Sequence, residues 1–234
     1  MTAASHAAPR NDAARQRPKP ANFNRLARLY RWMEYASFGP WLWRCRCAFL
    51  GDLIDCRRAA IFGDGDGRFT ARLLAANPFI EMDAVDASEA MLRSLMRRAG
   101  RDAGRVRAHC VDALEWQTAS PPYDLIVTHF FLDCLTTEEV RALAVMMRGT
   151  AAPAARWIVS EFAEPDGRLK RAAAHAIVWL LYRAFGLLTG LAVRTLPDHG
   201  TALREAGFAP EKTRTWLGGL LVSETWIAQS RTHR

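Results

Sequence analysis

Between residues 59 and 162 the apolar and polar positions follow two different periods in turn. Short apolar runs predict strands at 59–62, 80–86, 106–111, 123–129 and 156–162. The stretches between them carry apolar residues three and four apart and predict helices at 68–75, 88–98 and 137–147. Strands that alternate with helices form a parallel sheet covered on both faces. The predicted fold class is therefore α/β and doubly wound.

Both ends of the chain depart from this alternation. Residues 21–56 show helical spacing of apolar residues, interrupted at Gly39-Pro40, and predict an N-terminal helical cap. Near the other end, a helix in "TALREAGF" is followed by two strand-like runs separated by Gly218-Gly219. A glycine pair between such runs indicates a hairpin, so we expect the sheet to finish in antiparallel strands.

Length and composition limit the domain organisation. A chain of 234 residues that is 50% hydrophobic fits one globular domain, which we assign to residues 21–234. Residues 1–20 are rich in alanine and proline with a basic excess, and they predict a disordered basic tail. The rest of the net charge of +8 is scattered, which is more typical of a solvated surface than of nucleic-acid binding.

The five cysteines are odd in number and lie in unrelated surroundings, and residues 1–20 have no apolar core of the kind a secretory signal needs. We therefore expect a reduced, cytoplasmic protein. The Cys45 to Cys56 cluster lacks the paired turns of zinc sites, so we expect no metal.

The most informative local pattern is the glycine loop "FGDGDGRF", which follows the first predicted strand. A dinucleotide fingerprint would require a third glycine at position 68, which is arginine here. Asp64 and Asp66 would also repel a pyrophosphate. A ligand that has an adenosine and a cationic centre but no phosphate fits this loop better.

The stretch "IFGDGDGRF" followed by "MDAVDASEAML" resembles the first two motifs of class I S-adenosylmethionine-dependent methyltransferases. "AHCVDALEW" and "YDLIVTHFFLDCL" resemble the third and fourth elements of that family. The resemblance implies a Rossmann-like sheet of seven strands, mostly parallel with a C-terminal antiparallel hairpin, and S-adenosylmethionine as cofactor. The cofactor-binding residues that it implies are Gly63, Asp64, Gly65, Asp66, Gly67, Asp86, Ala87, Asp112, Ala113 and Thr128.

Two of these assignments have a structural alternative. Asp86 is expected to bind the ribose but would also serve as a cap for the helix near Ser88. Asp112 is expected near the adenine but is also a typical turn residue, and Asp124 favours a structural role. The family often has an acid at the position of Ile61, so this chain departs from the pattern there.

The sequence indicates the acceptor-binding residues less specifically than the cofactor-binding residues. His129 ends a predicted strand, where an imidazole can take a proton from an acceptor hydroxyl, although a buried polar role is the alternative. Tyr30 lies in "LYRWMEYASFG", which resembles the start of ubiquinone/menaquinone-type methyltransferases, and we assign Tyr30 and Phe130 to the acceptor site. Residues 172–193 predict a buried or lid helix rather than a membrane span, because Arg183 lies within them; contact with a lipid surface stays open.

The function that these patterns favour is methyl transfer from S-adenosylmethionine to a small, apolar or aromatic acceptor. A methyltransferase-like binding protein without catalysis is an alternative, which Ile61 would permit. RNA methylation is less favoured, because the chain lacks an Asn/Asp-Pro-Pro-aromatic motif and a recognisable RNA-binding module. The acceptor, the atom that is methylated and the oligomeric state are left open.

Overall fold

The computed structural model describes residues 38–118, 122–163 and 196–230. A single seven-stranded sheet organises them, with the strand order β3-β2-β1-β4-β5-β7-β6. Strands β1 to β5 are parallel, whereas β7 runs antiparallel to both β5 and β6. The strands are β1 (Arg58–Phe62), β2 (Glu81–Asp86), β3 (Val106–Cys110), β4 (Tyr123–His129), β5 (Ala151–Phe162), β6 (Phe208–Trp216) and β7 (Leu221–Ala228). This arrangement confirms the predicted Rossmann-like sheet and its C-terminal hairpin.

Helices cover both faces of the sheet, as the alternating pattern predicts. They are α1 (Trp41–Arg46), α2 (Arg68–Ala76), α3 (Glu89–Ala99), α4 (Thr137–Thr150) and α5 (His199–Glu205). Helices α2 and α3 pack with the turn Leu50–Leu53 on one face, in a core that contains Ile61 and Phe69. Helices α4 and α5 pack on the other face, in a core that contains Phe62 and Trp157.

The predicted bounds of the strands and helices from β1 to the start of α4 agree with the structure to within one residue. The helix predicted in "TALREAGF" spans His199–Glu205, and a larger difference lies near β5. The helix predicted to end at 147 continues to Thr150, and β5 begins directly at Ala151 instead of at 156. Gly218 and Gly219 lie in the turn between β6 and β7, where both have positive φ. Of the predicted cap, only the part from residue 38 onward is described. The predicted tail, Tyr30 and the segment 172–193 lie outside the described residues, and none of the described helices is long and apolar enough to cross a membrane.

Asp124, on β4, forms hydrogen bonds with the start of β1. Its carboxylate accepts hydrogen bonds from the backbone N–H groups of Arg57 (2.7 Å) and Arg58 (2.9 Å), where β1 begins. This contact supports the structural role favoured by the sequence.

A buried carboxylate also joins three strands near the middle of the sheet. Asp83 of β2 is fully buried and lies 2.7 Å from Nε2 of His109 and 3.1 Å from Nε of Arg107, both on β3. The hydroxyl of Tyr123, on β4, donates to Asp83 at 2.9 Å. Strand β1 lies between β2 and β4, and the residue paired with Asp83 there is Ala60, whose small side chain leaves room for this contact.

We expect Asp83→Ala to lower the free energy of unfolding by about 3 kcal/mol, because it leaves buried polar partners without their acceptor. Urea denaturation followed by circular dichroism measures the change. The matched control is Glu89→Gln, which removes an exposed ion pair with Arg93 (2.7 Å) and should cost about 0.5 kcal/mol or less. Equal losses in the two variants would show that the buried cluster contributes nothing specific.

Candidate functional site

The candidate site lies where the parallel strands end. The glycine loop follows β1, Asp86 ends β2, Asp112 follows β3 and His129 ends β4. The strand register pairs Asp86 with Cys110, at the end of β3. Because the carboxyl ends of parallel strands meet at one edge, the four sequence elements come together there.

The three loop glycines have different surroundings although all have positive φ, at 62°, 60° and 79°. A Cβ at Gly67 would lie 2.5 Å from the Cα of Leu95 in α3, and one at Gly63 would overlap the ring of Phe131. A Cβ at Gly65 would meet nothing within 4 Å among the described residues. Gly67 and Gly63 are thus required by packing, while Gly65 leaves space beside the loop.

The two aspartates of the loop are engaged within the protein itself. Oδ2 of Asp64 accepts a hydrogen bond from the backbone N–H of Thr70 (2.8 Å), in the first turn of α2. Asp66 forms ion pairs with Arg98 (2.7 Å) and Arg68 (3.3 Å). Burial raises the pKa of Asp64 to about 6. Both carboxylates therefore stabilise the loop and the start of the helix.

Asp86 uses one of its two carboxylate oxygens in a local hydrogen bond. Its Oδ1 accepts from the backbone N–H of Ser88 (2.7 Å), and Ser88 is itself the N-cap of α3. Within the described parts of the chain its other oxygen makes no hydrogen bond. Burial, together with the charge of Asp64, raises the pKa of Asp86 to about 6. Ala87, the next residue, is exposed.

The remaining predicted cofactor residues are placed as follows. Asp112 is half-buried, and its Oδ1 accepts from the backbone N–H of Leu114 (2.8 Å), which is the turn geometry that the sequence left as an alternative. Ala113 is buried. Thr128 is fully buried and its hydroxyl accepts from Nε1 of Trp157 (3.0 Å), so this side chain belongs to the core on the α4 face.

His129 is enclosed on the opposite face of the sheet. Its imidazole is 2% exposed and packs edge-on against Phe69, with ring centroids 4.5 Å apart. Neither ring nitrogen has a hydrogen-bond partner among the described residues. Burial lowers the pKa of His129 well below its ordinary value, and the positive charge of Arg46 lowers it further. The side chain is therefore a neutral imidazole near neutral pH.

Phe130 packs against the helical cap instead of pointing into open space. Its ring lies 5.2 Å from that of Phe162, and the guanidinium of Arg46 lies 5.2 Å from its centroid. Its backbone has a positive φ of 53°, and its N–H donates to the carbonyl of Ser160 at 2.7 Å. Its contact with an acceptor remains a prediction.

The structure adds a buried pair of carboxyl groups that sequence analysis did not assign. Glu161, near the end of β5, is 2% exposed, and Asp133, in the turn after β4, is 7% exposed. Burial, strengthened by the charge of Asp133, raises the pKa of Glu161 well above its usual range, and burial raises that of Asp133 to about 6. The available signal was an acidic residue near the carboxyl end of β5, in "VSEF", and another just beyond the end of the neighbouring strand β4, in "FLDC".

Residues 61–153 match the family model described as a methyltransferase domain. None of the curated proteins matches the chain in sequence. The fold is similar to that of an O-methyltransferase family protein from Burkholderia thailandensis, with a TM-score of 0.65 and 17% identity over 90% of this chain and 59% of that one. It is also similar to the S-adenosylmethionine-dependent methyltransferase SibL (TM-score 0.62, 19% identity, 92% of this chain and 64% of that one).

The N-methyltransferase NodS from Bradyrhizobium japonicum has a similar fold as well, with a TM-score of 0.54 and 13% identity over 87% of this chain and 98% of that one. The chain spans less than two thirds of the length of the first two structures. The family match over residues 61–153 and the similar folds confirm the predicted resemblance to class I methyltransferases. The finer resemblance to ubiquinone/menaquinone-type enzymes stays a prediction.

The variants Gly67→Ala and Gly65→Ala should distinguish a glycine that packing requires from a glycine that borders open space in the same loop. We expect Gly67→Ala to lower the free energy of unfolding by about 3 kcal/mol or more, because a positive φ and an overlap with the α3 backbone act together. Gly65→Ala carries only the cost of the positive φ, about 1 kcal/mol. Thermal and urea unfolding of both variants measures the difference, and a smaller loss at position 67 than at 65 would contradict the packing role.

The His129 imidazole should stay neutral at pH 6, where an unperturbed histidine is mostly protonated. The ring-nitrogen chemical shifts of 15N-labelled protein report its protonation directly. Because the folded pKa is depressed, the stability that depends on the neutral ring is present above about pH 6.5 and is lost at lower pH. A ring that is protonated at pH 6 in the folded protein would contradict its burial.

Proposed function

We propose that this protein transfers a methyl group from S-adenosylmethionine to a small-molecule acceptor. The observation that carries the proposal is the Asp64 carboxylate on the N-terminus of α2. In phosphate-binding loops the helix amides bind the phosphate, but here the N–H of Thr70 already donates to Asp64. A pyrophosphate would meet a carboxylate at this point, whereas a phosphate-free adenosine ligand would not.

The residues present fit such a ligand. The open space at Gly65 leaves room for a ligand to lie against the loop backbone. The Asp86 carboxylate has an oxygen available for the ribose hydroxyls, and the loop with Asp112 and Ala113 lies beside it at the end of β3. These positions support the cofactor roles that the family resemblance implies for them.

S-adenosylmethionine supplies a methyl group that its sulfonium already activates. The chain therefore has to hold the acceptor in line with the methyl group and exclude water. His129 is suited to take a proton from an acceptor hydroxyl, because its ring is neutral and neither ring nitrogen has a hydrogen-bond partner among the described residues. The aromatic rings of Phe130, Phe131 and Phe162 favour an apolar or aromatic acceptor. We also propose that Tyr30 contacts the acceptor. The proposed location of the protein is the cytoplasm.

Calorimetric titration with S-adenosylmethionine and with S-adenosylhomocysteine tests the cofactor. We expect both to bind, and we expect Asp86→Asn to weaken both by about 10- to 100-fold, the usual value of hydrogen bonds to a charged group. The matched control is Asp102→Asn, an aspartate paired with Arg105 in the turn before β3. Failure of the intact protein to bind either ligand would overturn the proposal and favour a binding role without catalysis.

The same Asp86→Asn substitution should raise stability. Burial favours the protonated form of Asp86 in the folded state, so its contribution is favourable below about pH 4 and is lost as pH rises through about 6. The neutral amide removes this cost, and we expect a gain in the free energy of unfolding of about 1–2 kcal/mol at pH 8. Urea denaturation at pH 5 and pH 8 measures it. An equal effect at the two pH values would mean that ionisation of Asp86 is not the cause.

A further inference from the structure

The ligand proposed above carries a positive sulfonium, and the structure restricts which negative charges can face it. The loop aspartates Asp64 and Asp66 are the nearest candidates in sequence. Asp66 is neutralised by two arginines, and Asp64 is bonded to the helix start. A counter-charge for a cation at this edge must therefore come mainly from another element.

The turn after β4 reaches over the glycine loop. The ring of Phe131 occupies the space beside Gly63 and stacks on Phe62, with centroids 6.0 Å apart. The single-turn helix Leu132–Cys134 follows at once. Burial is the main cause that raises the pKa of the Cys134 thiol, and nearby negative charges, among them Asp86, add to it. The turn thus packs against the glycine loop at Gly63.

Glu161 is fixed to the start of this turn by one of its two oxygens. Oε1 accepts hydrogen bonds from the backbone N–H groups of Phe131 (3.0 Å) and Leu132 (2.8 Å). Oε2 is buried and has no hydrogen-bond partner among the described residues. A buried polar oxygen without a partner is costly unless it carries a proton or meets a ligand.

Asp133 lies in the same turn, and its Oδ1 accepts from the thiol of Cys134 at 3.5 Å. Neither Asp133 nor Glu161 forms an ion pair with a lysine or arginine in the part of the chain that the structure describes. Two neighbouring carboxyls without a cation do not ionise together easily, so the pair retains one proton near neutral pH. Its charge depends on what is bound beside it.

The other titratable groups around the pair are Cys134 in the turn, Cys45 on α1 and Asp86 on β2. Burial raises the pKa of the Cys45 thiol to about 12 and that of Cys134 well above its usual range, so both are neutral thiols. Arg46, also on α1, lies over the ring of Phe130 and lowers the pKa of His129. Near neutral pH, Asp86 is the further anion in this set.

We propose that the Asp133–Glu161 carboxyl pair faces the sulfonium and gives up its proton when the cation binds, so that the protein prefers the charged cofactor to its uncharged thioether product. This inference rests on the proposed function. Binding of a cation favours the ionised pair, and by linkage the ionised pair favours the cation to the same extent. The preference is small when both carboxyls are protonated and grows as pH rises.

The test compares the affinities of S-adenosylmethionine and S-adenosylhomocysteine from pH 5 to pH 8 by calorimetry. The two ligands share the ribose and adenine, so hydrogen bonding of Asp86 to the ribose affects both and cancels in their ratio. We expect the ratio of affinities to rise by about tenfold across this range in the intact protein, equivalent to a change of about one pKa unit in the pair. Titrations in two buffers of different ionisation enthalpy should show proton release with S-adenosylmethionine and none with S-adenosylhomocysteine.

Asp133→Asn should make the ratio independent of pH, and Glu161→Gln should do the same while it keeps an oxygen for the backbone N–H groups of the turn. Circular dichroism establishes that each variant is folded. The matched control is Cys134→Ser, which changes the neighbouring thiol and leaves both carboxyls in place, so it should retain the pH dependence.

The outcomes separate the two proposals. If neither ligand binds the intact protein, the proposed function fails. If both bind but the ratio does not change with pH, or keeps its pH dependence in folded Asp133→Asn and Glu161→Gln, the cofactor assignment stands and the carboxyl pair is not the sensor. If Asp64→Asn abolishes the pH dependence and Asp133→Asn does not, the counter-charge belongs to the glycine loop.

Discussion

The geometry of the site depends on how the chain leaves β1 and enters α2. Three glycines with positive φ turn the backbone sharply enough for the Asp64 carboxylate to meet the first turn of the helix, and the absence of a side chain at Gly67 lets that helix approach α3. This close approach determines where β2 and α3 lie, and with them Asp86. The turn after β4 is positioned by the same loop, because Phe131 fills the space that Gly63 leaves. The loop thus positions the proposed site before any ligand takes part.

The sequence predicted the sheet well because period-2 and period-3.6 patterns report directly which side of an element is buried. It predicted the carboxyl edge for the same reason, since strand ends determine which residues meet. It did not reveal that Asp66 pairs with Arg98, a residue more than thirty positions away, nor that Asp133 and Glu161 come together from different elements. Partners of that kind depend on packing between elements, which periodicity does not report.

Ile61 stands where the methyltransferases that this chain resembles often have an acid. Its side chain is 1% exposed and packs in the core with Phe69 beneath α2. An acid at this position would be buried in an apolar core, where an unpaired charge is costly. In this chain the carboxylate at the start of α2 is supplied from within the loop, by Asp64.

The Asp83 cluster has a further consequence for how the molecule assembles. Its partners come from β3 and β4, which lie on either side of the β1–β2 pair, so the carboxylate is satisfied only when all four strands are in register. An intermediate that lacks the edge strand β3 would bury Asp83 without His109 and Arg107, at a substantial free-energy cost. The cluster therefore penalises partly formed sheets and makes the folding of this half of the protein more nearly all-or-none.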